Sequence, residues 1–135
     1  MMPMPNEKTL SEFARNDEAS QEELATLKAR YPALPDDYVA FLASANGGEG
    51  FIGDEYVILW RAREIEQFNQ EYETERCAPS LLLFGSSGGG EAYAFDTSDI
   101  AWSIVRVPFI GMNLKYALPV ANGFTDFIDA LVKKQ

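Results

Sequence analysis

Apolar residues recur every three to four positions in four parts of the chain, which is the spacing of one face of an α-helix. The pattern predicts helices over 21–31, over 35–45, over 61–72 and from an N-cap at Asn122 to about residue 131. The first helix follows a capping box at Ser20–Glu23 and should stop at Pro32. The second should end at Asn46, Gly47 and Gly48, because these residues accept the left-handed backbone of a helix C-cap.

Between the helices the period changes to the two-residue alternation of β-strands. The pattern predicts strands over 51–52, 56–60, 81–84, 91–95 and 101–107, with a turn at Gly53 and Asp54. The sequence has no internal repeat and no linker long enough to separate domains. Helices around a central run of closely spaced strands predict a single α+β domain, whose largely antiparallel sheet packs against N-terminal and C-terminal helices.

The first residues of the chain follow neither period. Residues 1–8 include Pro3 and Pro5 and predict a disordered tail, so we place the domain at 9–135; Thr9–Glu12 is a second match to the capping box. The opening has neither the basic start nor the apolar core of a signal peptide, and no run of roughly 18 apolar residues occurs. We therefore expect a cytoplasmic protein without membrane contact.

A glycine-rich stretch, GSSGGG at 85–90, follows the apolar run 81–84. Its glycines fit neither the P-loop nor the dinucleotide spacing, and the next stretch alternates like a strand instead of forming a helix. The sequence therefore predicts a strand, a glycine turn and a second strand, with Tyr93 and Phe95 on one face and Ala92 and Ala94 on the other. Three consecutive glycines imply positive φ values or the close approach of another segment, and both readings stay open.

The composition excludes most hydrolase mechanisms. The chain has no histidine, which removes Ser/His/Asp triads, Cys/His dyads and the common zinc sites. The single cysteine, Cys77, has no histidine to act as its base and is predicted to be half-buried before the turn at Pro79. Asp96 and Asp99 provide too few oxygen ligands for a calcium loop and are better read as turn caps. Three interpretations are left: carboxylate chemistry, a hard-cation site built from oxygen ligands, or no catalysis at all. We name no catalytic, cofactor-binding or metal-binding residue.

The charge of the chain narrows the class of partner. With 21 acidic and 11 basic residues the formal net charge is −10, which opposes contact with nucleic acid phosphates and with anionic membranes. The same field would speed the encounter with a basic protein. Acidity of this size also occurs for solubility alone.

Three segments together resemble the SUKH superfamily. They are LPDDYVAFLASANGG at 34–48, LLLFGSSGGGEAYAFD at 81–96 and GFTDFIDAL at 123–131, which occur in the order seen in that group, and the resemblance covers about residues 20–133. It implies an α+β fold with a curved sheet flanked by helices. This chain departs from the resemblance at Gly89, because many members of the superfamily carry Asp or Asn there.

The resemblance also implies a function, because the superfamily includes bacterial immunity proteins and a fungal regulator of cell-wall synthesis. We therefore expect a non-enzymatic module that binds a cognate toxin domain. The acidic chain favours a basic toxin domain, and the toxins matched to this superfamily include nucleases. The alternatives are a regulatory scaffold for an endogenous cytosolic protein and a hydrolase with two convergent carboxylates. The candidate partner contacts are acidic residues near predicted turns and two tryptophans as anchors: Glu49, Asp54, Glu55, Trp60, Glu91, Asp96, Asp99 and Trp102.

Overall fold

The computed structural model describes residues 12–133, so the predicted tail over 1–8, the domain start at residue 9 and most of the capping box at Thr9–Glu12 lie outside the described residues. The described strands are β1 (Phe13–Arg15), β2 (Gly48–Ile52), β3 (Glu55–Leu59), β4 (Leu81–Ser86), β5 (Glu91–Asp96), β6 (Ile104–Pro108) and β7 (Leu118–Ala121). The described helices are α1 (Gln21–Arg30), α2 (Asp36–Ser44), α3 (Ala62–Glu71), α4 (Thr74–Cys77) and α5 (Phe124–Lys133).

All seven described strands form one antiparallel sheet whose order is the order of the chain, from β1 at one edge to β7 at the other. Helices α1 and α2 lie between β1 and β2, helices α3 and α4 between β3 and β4, and α5 follows β7. This architecture confirms the predicted α+β class with a curved antiparallel sheet and helices at both ends. The short strands β1 and β7 were not predicted.

The centre of the core is a group of aromatic rings between the sheet and the helices α2 and α5. The ring of Tyr38 in α2 contacts Phe84 of β4, Phe95 of β5 and Phe124 of α5, with centroid distances of 5.0 to 5.7 Å. Each of these rings is buried, and the edge-to-face geometry is the favourable one for aromatic pairs. The side chains on the other face of the central strands, including those of Leu83 and Ala94, are buried as well. Helices α3 and α4 contact β4.

The start of α1 agrees with the prediction, whereas the end of α2 does not. Ser20 caps α1, and its hydroxyl accepts a hydrogen bond from the amide of Glu23 at 3.0 Å in a capping box. Helix α2 ends at Ser44, and its C-cap is Ala45 in an extended conformation. Gly47 and Gly48, predicted to form the C-cap, do have positive φ values but lie beyond the cap, and a side chain at either position would collide with a neighbouring strand backbone. Gly48 is the first residue of β2.

Asn46, which was also predicted to end α2, instead caps α3. Its side-chain oxygen accepts a hydrogen bond from the amide of Ala62, the first residue of α3, at 2.7 Å. Its side-chain nitrogen donates to Glu23 of α1 at 3.2 Å. The buried Asn46 amide therefore links the starts of α1 and α3, a role that requires residues far apart in the sequence.

Helix α5 is capped from a distance as well. It begins at Phe124, one position later than an N-cap at Asn122 requires, so that prediction is wrong by one residue. The carboxylate of Asp37, in the first turn of α2, accepts hydrogen bonds from the amide and the hydroxyl of Thr125, both at 2.9 Å. A carboxylate on another helix thus accepts the hydrogen bond that a local cap would accept from the first turn of α5.

The pairing of β3 with β4 is short, and a side chain bonds the backbone of β4 where β3 does not reach. Only Ile58 and Leu59 pair with β4, through Ser86 and Gly85. Beyond them Asn69 of α3 donates to the carbonyl oxygen of Leu83 at 2.9 Å and accepts from its amide, also at 2.9 Å. The Asn69 side chain therefore supplies the two hydrogen bonds that a neighbouring strand would have made.

Candidate partner-binding surfaces

Two hairpin turns lie together at one end of the sheet, which we call the hairpin end. They are residues 53–54 between β2 and β3 and residues 87–90 between β4 and β5. A Cβ added at Gly88 would lie 3.2 Å from the ring of Tyr56, which shows how close the two hairpins are. The glycine stretch is therefore the predicted turn between two strands, with Gly88 and Gly90 at positive φ. No helix follows it to complete a phosphate site.

Four of the predicted contact residues lie at or near the hairpin end. Asp54 is exposed in the first turn, Glu55 begins β3 and Glu91 begins β5. Glu91 pairs with Arg106 of β6, with 3.2 Å between a carboxylate oxygen and Nε. Glu49 is exposed in β2. The sheet thus gathers carboxylates from β2, β3 and β5 that are up to 42 positions apart in the sequence.

The outer face of β2 and β3 carries an exposed aromatic pair that the sequence reasoning missed. Phe51 and Tyr56 are opposite each other in the β2–β3 register, their rings meet edge to face at 5.3 Å, and they are 46% and 36% exposed. The Tyr56 hydroxyl donates to the Glu49 carboxylate, and this hydrogen bond raises the pKa of Tyr56. We call these three residues the Phe51–Tyr56–Glu49 cluster. The signal in the sequence was the alternation of Glu49 and Phe51 with Gly48, Gly50 and Ile52.

Two of the remaining predicted residues, Asp96 and Asp99, lie at the opposite end of the sheet. Asp96 accepts hydrogen bonds from the amide and hydroxyl of Ser98, at 3.0 and 2.6 Å, which confirms the turn-cap interpretation. Asp99 accepts from the amide of Ala101 at 3.2 Å, and hydrogen bonds from Ser103 and Ala101 hold the pKa of Asp99 below its usual value. The structure therefore separates Asp96 and Asp99 from the carboxylates of the hairpin end.

The structure places both tryptophans in the core. Trp60 is 6% exposed and its ring contacts Phe68 and Tyr72, while Trp102 is 8% exposed and packs against Phe95. A buried ring contributes to folding and presents little surface to a partner. Phe51 and Tyr56 are exposed aromatic residues at the hairpin end, and Tyr116, in the β6–β7 loop at the same end of the sheet, is exposed as well.

A cleft of about 620 Å³ lies between the end of α1, the helices α3 and α4, and the start of β4. Tyr31, Pro32, Leu82 and Trp102 supply apolar lining. Two ion pairs line it as well: Arg30 Nε lies 2.6 Å from Glu66, and Arg76 lies 3.0 Å from Glu73. The volume falls in the range of small-ligand pockets, and no pattern in the sequence predicts this cleft.

Backbone strain within residues 12–133 is concentrated at this cleft. Glu73, Ser80 and Trp102 are the described residues other than glycine with a positive φ, at 52°, 112° and 50°, and all three line the cleft. Thr74 also lines it and is 1% exposed, and its hydroxyl has no hydrogen-bond partner among the described residues. Such features are costly and occur more often at binding sites than elsewhere.

The groups in the cleft do not form a known catalytic arrangement. Arg76 holds the pKa of Glu73 below its usual value, whereas a general acid of the glycosidase type needs a raised pKa. Cys77, in α4, is half-buried as predicted and is a free thiol. No group of three acidic or cysteine side chains within residues 12–133 is arranged to hold a metal ion. In the same part of the chain, no helix is long and apolar enough to cross a membrane.

Comparison with known proteins bears on the role of these surfaces. The sequence model of the SMI1 / KNR4 family (SUKH-1) matches residues 18–130, from just before α1 into α5, and includes all described strands except β1. A search of curated proteins found no match. The matched range contains the hairpin end and the cleft.

Proposed function

The chain belongs to the SMI1 / KNR4 family (SUKH-1), and from this premise we propose that it is an immunity protein, which neutralises a cognate toxin domain by binding to it. Membership of this family is consistent with a protein-binding role in immunity or in regulation. The proposed mechanism is stoichiometric binding without a chemical step on the partner.

The observation that carries the proposal is the hairpin end, where exposed acidic residues stand beside exposed aromatic rings. Glu49 and Asp54 supply exposed negative charge, and Phe51 and Tyr56 supply apolar area that a partner could bury. Glu91 adds a half-buried carboxylate that is paired with Arg106. Aromatic residues are enriched at the centres of protein interfaces, and complementary charge speeds association. We call this set the hairpin-end surface.

The charge of the chain indicates the kind of partner. A net charge of −10 attracts a basic domain. Nucleases and other enzymes that act on nucleic acid bind phosphates through lysine and arginine. An acidic surface can occupy such a site in place of the nucleic acid, and binding there would block the toxin without any catalytic residue in this chain.

Co-expression tests the proposal. The chain is expressed in cells together with the toxin domain encoded beside its gene, and survival is compared with that of cells carrying the toxin alone. We expect protection. If cells carrying both proteins die as fast as cells with the toxin alone, the immunity function is wrong.

A charge reversal tests the surface. Asp54 is exposed in the β2–β3 turn, so Asp54→Lys should leave the fold intact and weaken protection. Glu18→Lys is the control for the charge reversal, because Glu18 is exposed and follows the end of β1 that pairs with Gly48, away from the two hairpin turns. Equal protection by the wild type and both variants would place the toxin contact elsewhere on the molecule.

The regulatory scaffold is the second candidate, since the family description is equally consistent with it. A pull-down of the tagged chain from its own cells separates the two roles. Recovery of an endogenous enzyme, in a genome with no toxin gene beside this one, favours the scaffold. Recovery of the adjacent toxin domain favours immunity.

A further inference from the structure

We infer that the Phe51–Tyr56–Glu49 cluster is a receptor for the cationic side chain of an arginine or lysine on the partner protein. The inference rests on the proposed function and names the chemistry that one part of the hairpin-end surface would recognise. The two aromatic rings and the carboxylate share the outer face of one hairpin.

This face is open to solvent among the described residues. Burial alternates strictly along β2: Gly48, Gly50 and Ile52 are buried, whereas Glu49 and Phe51 are exposed. Helix α5 contacts β2, and the carbonyl oxygen of Leu131 lies against Gly53 at the end of that strand. One face of β2 is thus covered by the core, and the other presents the cluster.

The three side chains suit a cation better than they suit an apolar or anionic group. The faces of aromatic rings carry negative potential, which attracts guanidinium and ammonium groups. Glu49 adds a full negative charge beside them, and its side-chain partner within residues 12–133 is the hydroxyl of Tyr56. A carboxylate that accepts one hydrogen bond keeps lone pairs for a second donor. A cation placed there meets a ring face and a carboxylate at once.

The glycine turn holds one side of this receptor. A Cβ at Gly88 would lie 3.2 Å from Cδ2 of Tyr56 and 3.7 Å from Cδ1 of Ile58, so the turn backbone already packs on the tyrosine ring. Gly88 has a φ of 77°, which a larger residue would adopt only with strain. The sequence predicted either positive φ values or the close approach of another segment at the glycine stretch. The segment that approaches it closely is the one that carries Tyr56. The turn fixes the ring before any partner arrives, which reduces the entropy lost on binding.

The surroundings favour a cation as well. The neighbouring Asp54 is exposed and acidic, and the whole chain carries a net charge of −10. An exposed carboxylate alone would attract any cation weakly and without preference for place. The aromatic pair adds the requirement that the cation lie over a ring, so binding should be localised to this hairpin.

A peptide titration tests the inference without a toxin. The probe is acetyl-Gly-Arg-Gly-Arg-Gly-amide, added to the full ¹⁵N-labelled chain and followed by amide chemical shifts. We expect the largest shifts within 49–58 and 86–91. The same peptide with citrulline in place of arginine should bind at least fivefold more weakly, because it keeps the shape and loses the charge.

Three variants test whether peptide binding depends on the side chains of the cluster. Glu49→Gln and Phe51→Leu should each weaken arginine-peptide binding several-fold, and Glu18→Gln, which makes the same charge change at an exposed site outside the hairpin, should not. Each variant is first shown to unfold at the wild-type temperature. Shifts spread over the whole surface, equal weakening by Glu18→Gln, or equal binding of the citrulline peptide would overturn the inference.

The two proposals fail in different ways. If arginine peptide binds at the hairpin but co-expression gives no protection, the receptor stands and the toxin role is wrong. If protection occurs and Glu49→Gln and Phe51→Leu protect as well as the wild type, while the peptide produces no localised shifts, the immunity role stands and this receptor is wrong.

Discussion

Replacing Asn69 by alanine should cost the protein about 2–4 kcal/mol of unfolding free energy, because that side chain takes the place of a strand. Its amide makes three hydrogen bonds at 2.7 to 2.9 Å: it donates to the carbonyl oxygens of Ile65 and Leu83 and accepts from the amide of Leu83. Leu83 is fully buried, so alanine would leave its N–H and C=O without partners. Each orphaned group costs about 1–3 kcal/mol, and water entering beside the half-buried position 69 offsets part of the sum.

Urea unfolding, followed by the fluorescence of the buried tryptophans, measures this loss. Asn69→Asp is informative as well: it keeps an acceptor for the Leu83 amide but places a carboxylate against the Leu83 carbonyl oxygen, so we expect a loss at least as large. Asn122→Ala is the matched control, since Asn122 is exposed, and should stay within about 0.5 kcal/mol of the wild type. A loss below about 1 kcal/mol for Asn69→Ala would refute the idea that this side chain completes the sheet.

Two further predictions concern the end of the sheet opposite the hairpins. Ser80→Gly should raise the unfolding free energy by about 1 kcal/mol, because glycine adopts the φ of 112° without strain, and a loss of stability in urea would contradict this. Asp99 has a lowered pKa in the folded chain, so it stabilises the fold above its unfolded pKa of about 3.9, and that contribution is lost as the pH falls through the lower folded value. The stability difference between wild type and Asp99→Asn should therefore be present at pH 7 and small at pH 2, and equal differences would show that Asp99 is not involved.

The sequence predicted the elements whose apolar period is long and regular. Helix α1, with its capping box at Ser20, and the strands on either side of the glycine turn agree with their predictions within one or two residues. The strand predicted over 101–107 is shorter and begins at Ile104, because residues 101–103 belong to the turn that Asp99 caps. Strands β1 and β7 have three and four residues, too few for a two-residue period to be recognised.

What the sequence could not give were the contacts between distant positions. The cap of α3 by Asn46 and the cap of α5 by Asp37 join residues 16 and 88 positions apart. No local pattern contains such pairs. The same limit applies to the candidate site: the acidic residues were found by their nearness to turns, but whether a tryptophan or a phenylalanine reaches the surface depends on which side of the folded sheet it lies. Trp60 faces Phe68, whereas Phe51 faces solvent.

Strand order follows chain order, so the two outermost strands within residues 12–133 are β1 and β7. They are also the shortest of the described strands. One has only three residues, and the other contains Pro119, which has no N–H to offer an incoming strand. A second molecule that tried to extend the sheet would find few backbone groups to pair with at either side. The fold therefore gives little template for edge-to-edge aggregation, although its middle strands are among the most apolar parts of the chain.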